Sequence, residues 1–275
     1  MQCVNPFLIT KHIDLEKHPE GYISVPCGKC LQCKMSRSRE WASRIMHEVP
    51  YWTNPLFVTL TYDDKNLPHN SSLKKRDLQL FFKRFRKSLK TKIKYYACGE
   101  YGEKALRPHY HLILFTDEKE LPLSSSWGKG LYHVGQVTYE SARYVAQYIN
   151  KKYYGDLAET TYTNKKLESP FQVQSQGIGL RYALDNTLQL VNQLYITNRG
   201  IKTQLPRYYV NKLKINKEPL IEMVQQKQAE TQLNYIKKGL TDYISIRNAI
   251  KKAREQNEMS LSAKIGLFNA KNRKL

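Results

Sequence analysis

Two residue runs, "KIKYYACGE" (92–100) and "RPHYHLILF" (107–115), flank the short turn "YGEKAL". Both runs are rich in aromatic and branched residues. A turn this short joins only adjacent antiparallel strands, because a parallel pair needs a crossover of a dozen residues or more. The hairpin therefore fixes antiparallel pairing at the centre of the chain. Other elements fall around it. "PLFVTLTYDD" (55–64) alternates as a strand and is ended by its two aspartates, and "GLYHVGQVTY" (130–139) is a further strand candidate. "SRSREWASRIMHE" (36–48) reads as a helix with Ser36 as its N-cap. "SLKKRDLQLFFKRFRKSLK" (72–90) places Leu78, Phe81, Phe82, Phe85 and Leu89 on one helical face, with basic residues opposite. "SARYVAQYINKKYY" (141–154) is also helical. The order strand–helix–strand–strand–strand–helix predicts an α+β domain around a mainly antiparallel sheet.

The remaining segments are less patterned. Residues before about Cys33 are loop-rich, and "TTYTNKKLESPFQVQSQGIG" (160–179) reads as a connection. "TLQLVNQLYI" (187–196) fits helix or strand, and the chain after about Asn211 is basic and helix-prone. The expected divisions are a Cys-rich element with a basic helix at 1–50, a core at 51–155, a connecting region at 156–210 and a basic helical extension at 211–275. No apolar run of membrane-spanning length and no signal-peptide pattern is expected from the sequence.

Charge narrows the function. Lys and Arg total 45 against 24 acidic residues, a formal net charge of +21. An excess of this size points to a polyanionic partner, and 20 Tyr and 8 Phe offer stacking surfaces for unpaired bases.

The hairpin also carries chemistry. His109 and His111 are two apart on a strand, so they share a face, and Tyr110 takes the other. Such a pair is either two ordinary histidines or half of a metal site. Glu100 ends the preceding strand and would stand beside them, whereas Glu103 lies in the turn. Two imidazoles and a carboxylate suit Mg²⁺ or Mn²⁺ with coordination positions left for water and phosphate. Thr59 and Thr61 share a strand face and would contact a nucleic-acid backbone or order this site. On the helix after the strands, Tyr144, Tyr148 and Lys151 fall on one narrow face with Lys152 at its margin. Ala142, Val145, Ala146 and Ile149 fall on the other face, toward the sheet. A tyrosine hydroxyl becomes an effective nucleophile only where positive charge favours the phenolate.

"CGKCLQC" sets Cys27, Cys30 and Cys33 at spacings that favour metal over disulfides. Cys3 is the expected fourth ligand, with His12 and His18 as alternatives; a metal-free thiol cluster and an iron–sulfur site stay open. Cys98 reads as a buried thiol.

Taken in order, "VPCGKCLQCKMSRSREWASRI", "FVTLTYDD", "GEYGEKALRPHYHLILF" and "GQVTYESARYVAQYINKK" resemble the rolling-circle replication initiators of the Microviridae, in particular the gokushovirus branch, within the HUH endonuclease superfamily. The resemblance covers roughly residues 25–152. It implies a ferredoxin-like or RRM-like core with the tyrosine helix laid against the sheet. It implies that His109, His111 and Glu100 hold Mg²⁺ or Mn²⁺, that Tyr144 and Tyr148 are alternating nucleophiles, and that Lys151 or Lys152 assists them. The implied activity is nicking and rejoining of single-stranded DNA at a phage origin in the host bacterial cytoplasm, alongside the host helicase and polymerase. An HUH transposase or relaxase, or a non-catalytic zinc-containing nucleic-acid-binding protein, are the alternatives.

Overall fold

A computed structural model describes residues 3–16, 21–102, 106–151 and 159–271, with backbone alone for 148–151 and 265–271. The chain forms two units, residues 37–215 and residues 1–36 together with 216–275. In chain order the elements that matter here are β1 (Phe7–Ile9), β2 (Ile23–Val25), α1 (Leu31–Glu48), β3 (Leu56–Tyr62), α2 (Lys75–Ser88), β4 (Lys94–Tyr101), β5 (Pro108–Phe115), α3 (Leu123–Trp127), β6 (Gly130–Gln136), α4 (Tyr139–Lys151) and β7 (Phe171–Gln174). Among the described residues no helix is long and apolar enough to cross a membrane.

The larger unit is built on an antiparallel five-stranded sheet of order β6-β3-β5-β4-β7. The expected hairpin is its centre, β4 and β5. Alternation sorts the side chains into two cores. On one face Val58, Leu60, Tyr62, Tyr110, Leu112 and Leu114 pack with Leu78, Phe81, Phe82 and Phe85 of α2. Burying each of those α2 side chains contributes on the order of 2 kcal/mol. On the other face Tyr96, Cys98, Ile113 and Phe115 meet Ala42 and Ile45 of α1 and Ala142, Val145 and Ala146 of α4. Cys98 is a core thiol, as expected. Leu89 also packs on the core, but from just beyond the end of α2.

The structure differs from the local sequence reading in four places. First, α1 begins at Leu31, not at Ser36, which lies inside the helix. A helix leaves its first amides without internal partners. Here the Leu31 amide donates to Glu258 Oε1 at 2.9 Å, a cap supplied from 227 residues away. Second, the segment read as a connection contains β7, which pairs with β4 from Tyr96↔Gln174 to Gly99↔Phe171. Third, 187–196 is both candidates in succession: a helix over Thr187–Gln193, then a strand from Tyr195 to Asn198. That strand pairs with Ile201–Gln204 across Arg199 and Gly200.

The smaller unit holds the fourth difference: β1 and β2 pair antiparallel within the segment read as loop. This unit also contains helices Glu218–Ile236 and Tyr243–Lys271.

Candidate active site and metal ligands

Register places the functional side chains in two rows on the α1/α4 face of the sheet. Thr61, His109 and Glu100 are Cα partners in one row, and Thr59, His111 and Cys98 in the next. Arg107 fixes the entry to β5. Its guanidinium donates to the Tyr62 carbonyl at 2.7 Å and pairs with Asp64 at 2.8 Å.

Each imidazole is held by a threonine. Thr59 Oγ1 lies 3.0 Å from His111 Nδ1, and Thr61 Oγ1 lies 3.3 Å from His109 Nδ1. A hydroxyl donates or accepts, so it serves either tautomer. It donates to Nδ1 when Nε2 carries the proton, and accepts from Nδ1–H when Nε2 offers its lone pair to a cation. The ring orientation is retained in both states.

Glu100 is in register with His109, yet its carboxylate reaches diagonally to His111, with Oε1 3.0 Å from Nε2. Both partners are buried, at 5% and 7% exposure. Two cis ligands at about 2.1 Å from an octahedral ion are about 3.0 Å apart, so a divalent cation fits this edge in place of the shared proton. His109 stands farther off, its ring centroid 6.3 Å from that of His111. The ligand atoms of His109, His111 and Glu100 do not all come within 4.8 Å of one another; among the described residues only the cysteine cluster below does so. Burial lowers the pKa of His109, as do the neighbouring His111 and Arg107, against an opposing effect of Glu100. A neutral imidazole is the form that ligates metal.

The α4 helix brings its tyrosine to the same place. The Tyr144 ring meets His111 edge-on at 5.4 Å and Phe57 at 6.5 Å, while Phe57 stacks on His111 at 5.8 Å. Ala142, Val145 and Ala146 point into the core, as the helical periodicity predicts. Tyr148 and Lys151 are placed on α4 by backbone alone, with Ile149. Lys152 and Glu103 lie outside the described residues.

Two features escape a reading by local pattern. Gly102 lies against His109: a Cβ there would come 2.9 Å from His109 Nε2. His133 on β6 is the Cα partner of Thr59, so it joins the His111 row as an exposed third imidazole. Its parity in "GLYHVGQ" is visible, but its row depends on register.

In the smaller unit Cys3 joins Cys27, Cys30 and Cys33, with all four sulfurs within 4.8 Å of one another, so the cluster could hold a metal ion. Burial pushes the Cys3 and Cys33 thiols up. Burial acts the same way on Cys27, but the amides of Cys30 and Lys29 outweigh it and lower this thiol to about 7. His12 is exposed and not part of the group, and His18 lies outside the described residues.

Known proteins share this pattern. A family model for the replication-associated protein ORF2 group matches residues 55–153, the stretch from β3 past α4. The chain is 32% identical to the replication-associated protein ORF2 of Spiroplasma virus 4 over 82% of this chain and 75% of that protein. It is 30% identical to the replication-associated protein VP4 of Bdellovibrio phage phiMH2K, over 83% and 85% respectively. Similarity to the replication-associated protein ORF4 of Chlamydia phage 1 is 28%, over 69% of this chain and 53% of that one. No solved structure matches the chain.

Proposed function

Because the chain belongs to the Microviridae-type phage replication-associated proteins, we propose that it starts rolling-circle replication by nicking single-stranded DNA at the phage origin. The observation that carries this reading is Tyr144 edge-on to His111, which is itself bonded to Glu100. A candidate nucleophile thus adjoins a buried imidazole–carboxylate pair on a sheet of strongly basic composition. The catalytic core is residues 51–155, an HUH endonuclease domain of the ferredoxin-like or RRM-like kind, working in the host cytoplasm with the host helicase and polymerase.

His109, His111 and Glu100 are the residues that would hold Mg²⁺ or Mn²⁺. When bound, the ion polarises the scissile phosphate and offsets its charge. Thr59 and Thr61 keep the imidazoles aimed whichever nitrogen carries the proton. The Tyr144 or Tyr148 hydroxyl gives up its proton as its oxygen attacks phosphorus. The bond to the 3′ oxygen breaks, leaving a 5′-phosphotyrosine, and the departing 3′ oxygen takes up a proton. Lys151 or Lys152 supplies positive charge beside the phosphate and favours the phenolate. The freed 3′ hydroxyl primes synthesis. After one round the second tyrosine attacks the regenerated origin, and the newly freed 3′ hydroxyl attacks the first phosphotyrosine to close the circle. The phosphotyrosine conserves the energy of the broken bond, so rejoining needs no ATP.

The test is a denaturing gel of protein incubated with single-stranded origin oligonucleotides and Mn²⁺. A covalent adduct is expected from the wild type, and none from Tyr144→Phe combined with Tyr148→Phe. An adduct that survives in the double variant refutes the assignment of the nucleophiles.

A further inference from the structure

The cysteine cluster has no part in the nicking scheme, and its geometry has its own consequence. Cys3 Sγ lies 3.8 Å from Cys30 Sγ, and Cys27 Sγ lies 4.0 Å from Cys33 Sγ. Four thiolates around zinc at a Zn–S length of about 2.3 Å form a tetrahedron with edges of about 3.8 Å. A disulfide would bring two sulfurs to about 2.05 Å, and a multi-iron cluster would spread all four apart. The backbone is arranged to support sulfur ligands. Gly28 takes φ +73° at the turn between Cys27 and Cys30. The amides of Lys29 and Cys30 donate to Cys27 Sγ, and that of Cys27 donates to Cys3 Sγ.

The same few residues carry the attachment of helix Tyr243–Lys271. Arg254 Nη1 donates to the Cys3 carbonyl at 3.4 Å. Gln32, between two ligands, donates to the Arg254 carbonyl at 3.3 Å, and the Leu31 amide donates to Glu258 at 2.9 Å. A zinc tetrathiolate carries a formal charge of −2, and Arg254 and Lys34 are the cations whose fields reach Cys3 and Cys30. Cys3 is 24 residues from Cys27 and reaches it through a single amide–sulfur bond. A metal ion would make the two segments one rigid platform for the helix.

We propose that Cys3, Cys27, Cys30 and Cys33 bind one zinc ion, and that this ion is the fastening that holds helix Tyr243–Lys271 to the N-terminal segment. Metal binding by such small loops is coupled to their folding, so loss of zinc frees the helix as well as the loop.

The experiment uses the full chain, produced with zinc and purified under reducing conditions. Elemental analysis is expected to give one zinc per chain. A strong chelator is expected to release it and expose four thiols to a colorimetric reagent. Hydrogen exchange in peptides from 243–264 is expected to accelerate at least about tenfold on removal and to slow again on adding zinc. Peptides from β3 and β5 should be unaffected. Arg254→Ala with Glu258→Gln should loosen the helix while retaining zinc, a separation that does not depend on whether a cysteine variant folds. A metal-free protein, iron in place of zinc, or helix protection that ignores the chelator would each overturn the proposal.

Discussion

Thr59 and Gly102 show how much the proposed active site asks of residues that carry no chemistry. Thr59 orients His111 through one hydroxyl. Replacing it with valine keeps the shape and branching but leaves Nδ1 without that partner. Loss of such an orienting group lowers metal-dependent activity by about 10–100-fold. Thr59→Val is expected to show this drop in single-turnover cleavage with an unchanged melting curve, and Thr59→Ser to restore most of it. Gly102 acts by having no side chain, since a methyl would meet His109 Nε2 at 2.9 Å. Gly102→Ala should therefore rotate the imidazole and depress cleavage with the fold intact. Wild-type rates in Thr59→Val would remove the threonine from the scheme.

Among the elements, α1 illustrates how a helix is fixed at its far end by another part of its unit. Its last residue, Glu48, is 1% exposed. Glu48 accepts from Lys94 Nζ at 2.8 Å, Trp52 Nε1 at 2.9 Å and the Gly179 amide at 2.7 Å. One carboxylate thus ties α1 to β4 and to the segment after β7. Glu48→Ala leaves a buried amide and an ammonium without their acceptor, and is expected to lower stability by about 2–4 kcal/mol. Urea unfolding followed by circular dichroism measures this directly; a change below about 1 kcal/mol would mean water replaces the carboxylate. The elements most legible in the sequence were those with long periodic patterns, such as α2 and the β4/β5 hairpin. Those least legible were β1, β2 and β7, at three or four residues each. A run that short has too little pattern of its own, and it becomes a strand only because a partner supplies the hydrogen bonds.

For the whole molecule, the net charge of +21 and the histidine site divide the work of binding and cleavage. Affinity for a phosphate backbone comes from released counterions, and lysines and arginines spread over the chain supply it. His111→Ala is expected to abolish cleavage while the slope of log K against log salt shifts by less than about one. A folded variant that loses DNA binding along with cleavage would place the histidine in the binding surface. What the sequence determined alone is whatever depends on local periodicity: the antiparallel hairpin, the shared face of His109 and His111, the apolar side of α4, and the cysteine spacing. Only the tertiary structure decided that Glu100 reaches His111 rather than its register partner His109, that Thr59 and Thr61 hold the rings, that Cys3 joins the distant thiols, and that Glu258 starts α1. The reason is physical. Which face a side chain takes follows from the backbone repeat, whereas which atoms meet depends on register and packing between segments far apart in the chain.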